Sequence, residues 1–600
     1  MKALKALTFL KSPRFLDIAV VFGAALVLRL FYLYEIHDTP FFTHLMIDES
    51  AYDQWARRIA AGEWLGTEIF YQDPLYPYFL GVIYSIIGRD LVWVRIIQLG
   101  MGSVTCVLIY LMGISFFDRK TGVMAGIMAV LYKPFIYFEA MFLKTFLGVF
   151  LLCVFVLLLV AARPRRSLIL WMTAGIVLGL LTLVRANTLV FTGGIVVWLL
   201  ATDWENENLK RKLIAVSGFF AGLLIVISAV SARNYIVGKD VVLLTSQGGQ
   251  NLFIGNNPWN DNGRYAPPIF IRPNPEYERE DFHVWAEKNT GRELTPSEVS
   301  RYWSGRVFSY IAEKPGHWLR LMGTKFRLFW NWYEVPDNQN FYFFSRYSSL
   351  LRMPLFSFRV VAALGLTGMV LCLRQWRRLL LPYLIVILYS GTVIAFYIFA
   401  RYKLPVIPML LVFGAACLGT VYEMAVRKSY FRLGATAVLV GIFLVVLSMR
   451  VGAGGYPVDR ANAFCRLGSI YLAEGKLDEA VSVYEQAAVI APQYWAAYYG
   501  LGEAYQRQDK PDRALANFEK AAYFNPGNVD ICVRLGHILF NEKRYEESIE
   551  QYERAVRLKP DWPEPHRWLA NVYTIRGDGE KARVHLRKYR EMKAQLLPAE

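Results

Sequence analysis

Asp17-Ile-Ala-Val-Val-Phe-Gly-Ala-Ala-Leu-Val-Leu-Arg-Leu-Phe-Tyr-Leu-Tyr34 is long and apolar enough, as a helix, to cross the hydrocarbon core of a bilayer. The basic stretch ahead of it, Met1-Lys-Ala-Leu-Lys5, looks like a signal n-region. No small-residue cleavage site follows, so the run reads as a retained first membrane helix. Comparable runs follow at 91–117, 121–138, 141–162, 168–184, 188–202, 213–231, 353–373, 379–398, 404–424 and 433–450, making about eleven spans. Composition agrees, since 55% of the 600 residues are hydrophobic and only 19% charged, which excludes an ordinary soluble protein.

A formal charge of +17 raises nucleic acid as a partner. The basic residues instead sit in short clusters between apolar runs, at 2–14, 118–120, 163–166, 210–212, 374–378 and 427–432. With the spans above, all these clusters fall on one side, as cytoplasmic anchors do. The charge therefore reads as topology, with the N-terminus cytoplasmic and no nucleic-acid partner. Keeping that parity leaves 75–88 as a short helix in or near the outer leaflet. Residues 36–90 and 232–352, the turn at 139–144 and the surroundings of Arg401 then share the outer face of a bacterial-type inner membrane. Six scattered cysteines without a CxxC spacing argue against disulfide scaffolds and zinc sites.

From Ala461 the chain repeats every 34 residues, the tetratricopeptide period. Leu467-Gly468, Leu501-Gly502, Leu535-Gly536 and Leu569-Ala570 are in register, as are Pro492, Pro526 and Pro560. Three full repeats and a partial fourth are predicted, stacked as an α-solenoid that binds a protein partner on the extracytoplasmic side. The expected organisation is all-α: a membrane domain over 1–450, a linker over 451–460 and a repeat domain over 461–595.

Within the outer regions, Met46-Ile-Asp-Glu-Ser-Ala-Tyr52 carries adjacent acids, Asp48 and Glu49, just beyond the first helix. Such a carboxylate can take a proton from a hydroxyl. A plainer reading makes Asp48 the cap of an amphipathic helix through Tyr52, Trp55, Ala56 and Ile59. Glu139 and Lys144 flank a span boundary, where a charge costs up to about 3 kcal/mol if drawn to mid-membrane, so such charges are usually paired or functional. Arg185 and Arg401 face outward by the same parity, where the positive-inside preference does not explain them; a guanidinium suits a lipid-linked phosphate. Gly248, Gly249 and Gly255 permit tight turns beside the amides of Gln250, Asn251, Asn256 and Asn257, which could serve a sugar or simply a turn-rich loop. The segment 329–337 interleaves aromatic rings with acids, as lipid-interface belts and carbohydrate sites both do.

Taken in order, the acidic pair, then Tyr71-Gln-Asp-Pro-Leu-Tyr-Pro-Tyr-Phe-Leu80, then Val94-Arg95 opening a span that ends Phe116-Phe-Asp-Arg-Lys120, then Glu139 to Lys144, resemble the GT-C membrane glycosyltransferases of the protein O-mannosyltransferase and aminoarabinose transferase type. Arg233-Asn234, Gly-Asn-Asn at 255–257, and Arg401 with Pro405 and Pro408 look like later features of bacterial members. The resemblance covers about residues 15 to 425. It implies inverting transfer of one sugar from a polyprenyl-phosphate carrier to an acceptor, with Asp48 as base, Glu49 and Glu139 as further catalytic candidates, and Lys144, Arg401, Arg185 and Arg233 on the donor phosphate. Tyr52, Asp73, Tyr76, Asn256 and Asn257 are candidates for sugar or acceptor. Some relatives carry a Lys where this chain has Asp73, which leaves a first-loop cation unfilled. A divalent metal is optional, because the leaving group is already a phosphate, and no metal ligands are assigned.

The acceptor is expected to be a protein hydroxyl, with a lipid or cell-surface glycan as the alternative. A noncatalytic membrane anchor for the repeats would need only one span. A transporter fits poorly with the long outer loop and the lack of an internal repeat.

Overall fold

The structure, a computed structural model, describes residues 13–165, 167–201, 209–268, 270–272, 275–451 and 455–596. Among them the secondary structure is helical, with one isolated bridge between Tyr132 and Phe356 and no strand. The predicted basic cluster at 2–14 lies outside the described residues up to position 12, as does 452–454 of the linker expected over 451–460, whose residues from Gly455 on belong instead to the helix Gly455–Ala473. The chain divides into two compact units, Met1–Gly452 and Ala453–Glu600.

In the first unit, apolar composition carries six helices far enough to cross a membrane: Arg14–Ile36, Leu91–Phe116, Thr145–Arg163, Lys212–Gly238, Ala400–Val426 and Tyr430–Ser448. Four other predicted spans are shorter apolar helices, Leu168–Thr182, Ala186–Ala201, Phe358–Leu371 and Leu380–Ala395, and so is Leu75–Ile87. The expected span at 121–138 is instead two helices, Arg119–Val130 and Lys133–Glu139. The break has a cause in backbone chemistry. Pro134 sits in the first turn of the second helix and cannot continue the ladder of the first. The freed groups pair elsewhere, Phe356 N donating to Leu131 O at 3.1 Å and Lys133 N to Phe356 O at 3.2 Å.

Helix packing relies on small residues where backbones meet. A Cβ on Gly175 would lie 2.0 Å from Phe219 O, and one on Gly222 would lie 2.0 Å from Met172 O. The crossing of Leu168–Thr182 over Leu209–Gly238 therefore brings main chains together at a distance that a side chain on either glycine would forbid.

Helix Asp48–Ala60 packs on Leu75–Ile87. Buried Asp53 fixes it there, accepting from Tyr84 Oη at 2.7 Å and Arg89 Nε at 2.9 Å and pairing with Arg57. The long loop is itself helical, through Gly248–Gly255, Pro275–Thr290, Pro296–Glu313 and Pro315–Phe329.

The second unit is made of helical hairpins at the 34-residue period. Its pairs are Gly455–Ala473 with Leu477–Ile490, Trp495–Arg507 with Pro511–Phe524, Val529–Asn541 with Tyr545–Leu558, and Pro563–Ile575 with Gly579–Leu596. The fourth repeat, expected to be partial, is thus a complete hairpin. Its packing follows the rule of the others, with Leu569, Val572 and Ala582 buried together.

Candidate active site

Ile47 adopts φ +52°, a left-handed conformation uncommon for a β-branched residue, immediately before helix Asp48–Ala60. Successive residues of a helix point about 100° apart. Asp48 and Glu49 therefore serve different clusters.

Asp48 accepts a hydrogen bond from Arg401 Nη2 at 2.7 Å, and that nitrogen also lies 2.5 Å from the Asp337 carboxylate. Arg401 is 5% exposed, yet its Nε and Nη1 are buried without a hydrogen-bond partner. Its guanidinium lies 5.4 Å from the Tyr402 ring centre, and that of Arg185 lies 4.9 Å from the same ring. Arg185 donates to the Arg401 carbonyl at 3.2 Å and to Thr145 Oγ1 at 3.4 Å, and its Nε is also buried and unpartnered. Lys144 pairs with Asp73 and lies within electrostatic range of Arg185 and Arg401. Tyr52 is buried within range of Asp48, Arg401 and Asp73, and burial holds its phenol well above the usual value. The structure thus gathers Asp48, Asp73, Lys144, Arg185, Arg401 and Tyr52 from widely separated segments. Asp73, at the first-loop position where some relatives carry a Lys, pairs with Lys144.

Glu49 faces another way. Gln339 Nε2 donates to it at 2.9 Å, and the Met46 amide at 3.5 Å. Burial pushes its carboxyl up to about 7, against the pull of the nearby Arg95 guanidinium. Arg95 in turn donates to the carbonyls of Phe42 at 2.8 Å and Ala140 at 3.1 Å. Glu49, Arg95, Gln339, Phe42 and Tyr137 border a small cavity beside the Asp48 cluster.

Glu139 is turned into the helix bundle, where Arg29 grips both carboxylate oxygens, Nε at 2.5 Å and Nη2 at 3.1 Å. A Cβ on Gly102 would fall 2.2 Å from that carboxylate, so the glycine makes its space. Arg233, expected at the donor phosphate, donates to the carbonyls of Leu65 and Glu68 and lies over the Phe70 ring at 3.7 Å. It fastens the first loop to the helix Leu209–Gly238.

The amides expected to meet a sugar close the end of helix Gly248–Gly255 instead. Asn256 Nδ2 donates to Leu252 O at 2.9 Å and Ala395 O at 2.8 Å, while its Oδ1 accepts from Lys325 Nζ at 2.9 Å. Asn257 Nδ2 donates to Ala266 O at 2.9 Å and Phe253 O at 3.1 Å. Carbonyls orphaned at a helix C-terminus need such donors, and these amides supply them. Tyr76 donates to Gln98 Oε1 at 2.8 Å and packs its ring edge-on to Tyr52. It shapes the wall behind Tyr52 and gives its hydroxyl to the bundle.

Three residues near Asp48 escaped the sequence reading as site residues. Asp337 was visible only as an acid among aromatic rings, and Tyr402 only as the neighbour of Arg401. Glu278 carried no local signal at all. It accepts from Tyr71 Oη at 3.0 Å and from Tyr265, lies within electrostatic range of Asp48, and has its pKa raised by burial. Among the described residues, no group of three or more His, Cys, Asp or Glu side chains is arranged to hold a metal ion.

Residues 72–231 match the family described as dolichyl-phosphate-mannose-protein mannosyltransferase. Residues 468–509 and 536–574 match the TPR repeat, and 496–528 and 563–588 the tetratricopeptide repeat. No curated protein matches the chain. Among solved structures, one of MamA is 22% identical, with 22% of this chain and 79% of that chain covered and a TM-score of 0.22. A second MamA structure is 26% identical over 30% of this chain and 95% of that one, also at a TM-score of 0.22. The chain thus joins a GT-C mannosyltransferase-type segment to TPR repeats, which supports a membrane glycosyltransferase with a TPR domain.

Proposed function

We propose that the protein transfers a single sugar from a polyprenyl-phosphate donor to a protein hydroxyl on the outer face of the membrane, with inversion at the anomeric carbon. The acceptor oxygen attacks that carbon as the bond to the phosphate oxygen breaks. The hydroxyl proton passes to Asp48, and the bonding pair leaves with the phosphate. Catalysis then requires one carboxylate and enough positive charge to hold the departing anion. Asp48 supplies the first. Arg401 and Arg185, with Lys144 beside them, supply the second.

The observation that carries this reading is the buried Arg401 beside Asp48, whose Nε and Nη1 lack protein acceptors, together with the buried Arg185, whose Nε also lacks one. Buried donors without partners are costly, and a phosphate satisfies them through paired charge-assisted hydrogen bonds. The TPR unit recruits or orients the acceptor protein, and membrane lipids surround the first unit.

The test is Asp48→Asn in the full chain, reconstituted in lipid with a polyprenyl-phosphate mannose donor. Loss of transfer with retained donor binding supports the reading. Retained transfer sinks it. A glycolipid product in place of a glycoprotein would keep the chemistry and reassign the acceptor.

A further inference from the structure

Building on the donor-phosphate reading, we propose that Asp337 is a positioning residue that shares Arg401 with Asp48 until the donor phosphate engages that arginine. A phosphate arriving on the unpartnered side of Arg401 draws the guanidinium away from Asp48, while Asp337 keeps it in the pocket. Asp48 is then free to accept the acceptor's proton. The base is unmasked by the donor itself.

The geometry is specific. Arg401 Nη2 alone serves both acids, at 2.7 Å to Asp48 and 2.5 Å to Asp337. Of the five N–H donors of a guanidinium, those on Nε and Nη1 remain buried and unpartnered. A phosphate can therefore be bound without first displacing Asp337. Asp48 is the partner that competes with it, because the phosphate and Asp48 both draw on one cation.

Asp337 is also fixed by its neighbours in a way that suits a positioning role. The Ala400 amide donates to Val335 O at 2.9 Å, two residues before it. Gln339, two residues after it, donates to Glu49 at 2.9 Å. Lys403 Nζ holds the carbonyls of Asn331 at 2.8 Å and Tyr333 at 3.0 Å. The segment is thus tied to the residues around Arg401 at one end and to the helix bearing Asp48 at the other. Asp337 cannot follow Arg401 far, whereas the long arginine side chain can pivot about it.

Two opposite effects follow from removing the Asp337 charge. A negative charge beside the anion site is removed, so repulsion falls and phosphate binds more tightly. Arg401 is left to Asp48 alone, so the base stays masked and transfer slows. A residue that merely packs or stabilises would move binding and transfer in the same direction.

The experiment uses the full chain in lipid nanodiscs, with farnesyl phosphate and farnesol as probes and melting curves to confirm folding. Asp337→Asn should bind farnesyl phosphate about tenfold more tightly with farnesol unchanged, and lose about tenfold in sugar transfer in membranes carrying the native donor. Asp337→Glu should return both towards wild type. If Asp337→Asn does not fold, Asp337→Ser should give the same signs. Unchanged or weaker farnesyl phosphate binding by the neutral variants overturns the proposal, as does transfer at the wild-type rate. A wild-type protein that does not distinguish farnesyl phosphate from farnesol would overturn the phosphate reading itself, a result separable from the first.

Discussion

Replacing Glu139 by Gln asks whether this acid is structural or catalytic. Arg29 is 0% exposed and Glu139 4% exposed, and the two make a bidentate contact inside the helix bundle. With Gln at 139, the guanidinium keeps its full charge but faces a neutral amide in place of the carboxylate, beside the Ala25 carbonyl and the Cys106 sulfur, each at 3.3 Å. Breaking a buried pair by removing one partner costs about 3–5 kcal/mol, because the remaining charge stays buried and uncompensated. At about 2 °C per kcal/mol for a large unit, the melting temperature should fall by about 6–10 °C. Arg29→Met alone should fall similarly, and Arg29→Met with Glu139→Leu should recover most of the loss, since an apolar pair leaves no orphaned charge. Melting curves in detergent, paired with farnesyl phosphate binding below the transition, read this directly. A Glu139→Gln protein that melts like wild type but loses transfer would refute the reasoning and return Glu139 to the chemistry.

Glu49 makes stability depend on pH. Its folded pKa of about 7 exceeds the usual 4.5, so the folded state holds the proton more tightly, and stability should fall as pH rises from about 4.5 to 7, by roughly 3 kcal/mol. Glu49→Gln should flatten that part of the melting profile; an unchanged slope would assign it to other groups. Gly222→Val should prevent accumulation of folded protein, because its Cβ meets Met172 O at 2.0 Å, whereas Gly419→Ala, with nothing within 4 Å, should be neutral or slightly stabilising by thermal melt. Arg233→Met should lower the melting temperature by removing donors to the Leu65 and Glu68 carbonyls and leave farnesyl phosphate affinity within about twofold of wild type. A large loss of affinity with unchanged melting would put Arg233 back at the phosphate.

The helices were legible because apolar length and the 34-residue period are written in contiguous sequence. Interruptions were less so. Pro134 marks the break at 131–132 locally, but the partner that takes up the freed backbone groups, Phe356, lies more than two hundred positions away. The site was legible in part for the same reason. Asp48 and Arg401 stood out as charges that neither core nor topology explained, and they meet. Glu139 looked alike before its partner was known, since an acid at a span boundary reads the same whether it faces a substrate or an arginine. The charge of Arg29, in the middle of the first span, was the available clue to that pair. Asn256 and Asn257 read equally as a sugar site or a turn-rich loop, because an amide suited to a sugar hydroxyl is equally suited to a helix-end carbonyl. Glu278 and Asp337 join the cluster only through the path of a long loop, which no local pattern encodes.

The central claim is that Asp48 works as a base for sugar transfer beside a cationic lipid-phosphate site. Intact-mass analysis of outer-face proteins and glycolipids should compare cells making the wild-type chain, cells making Asp48→Asn at equal abundance, and cells lacking the chain. The account predicts that one acceptor loses a single sugar mass both without the chain and with Asp48→Asn. Identical masses in wild-type and Asp48→Asn cells would contradict it.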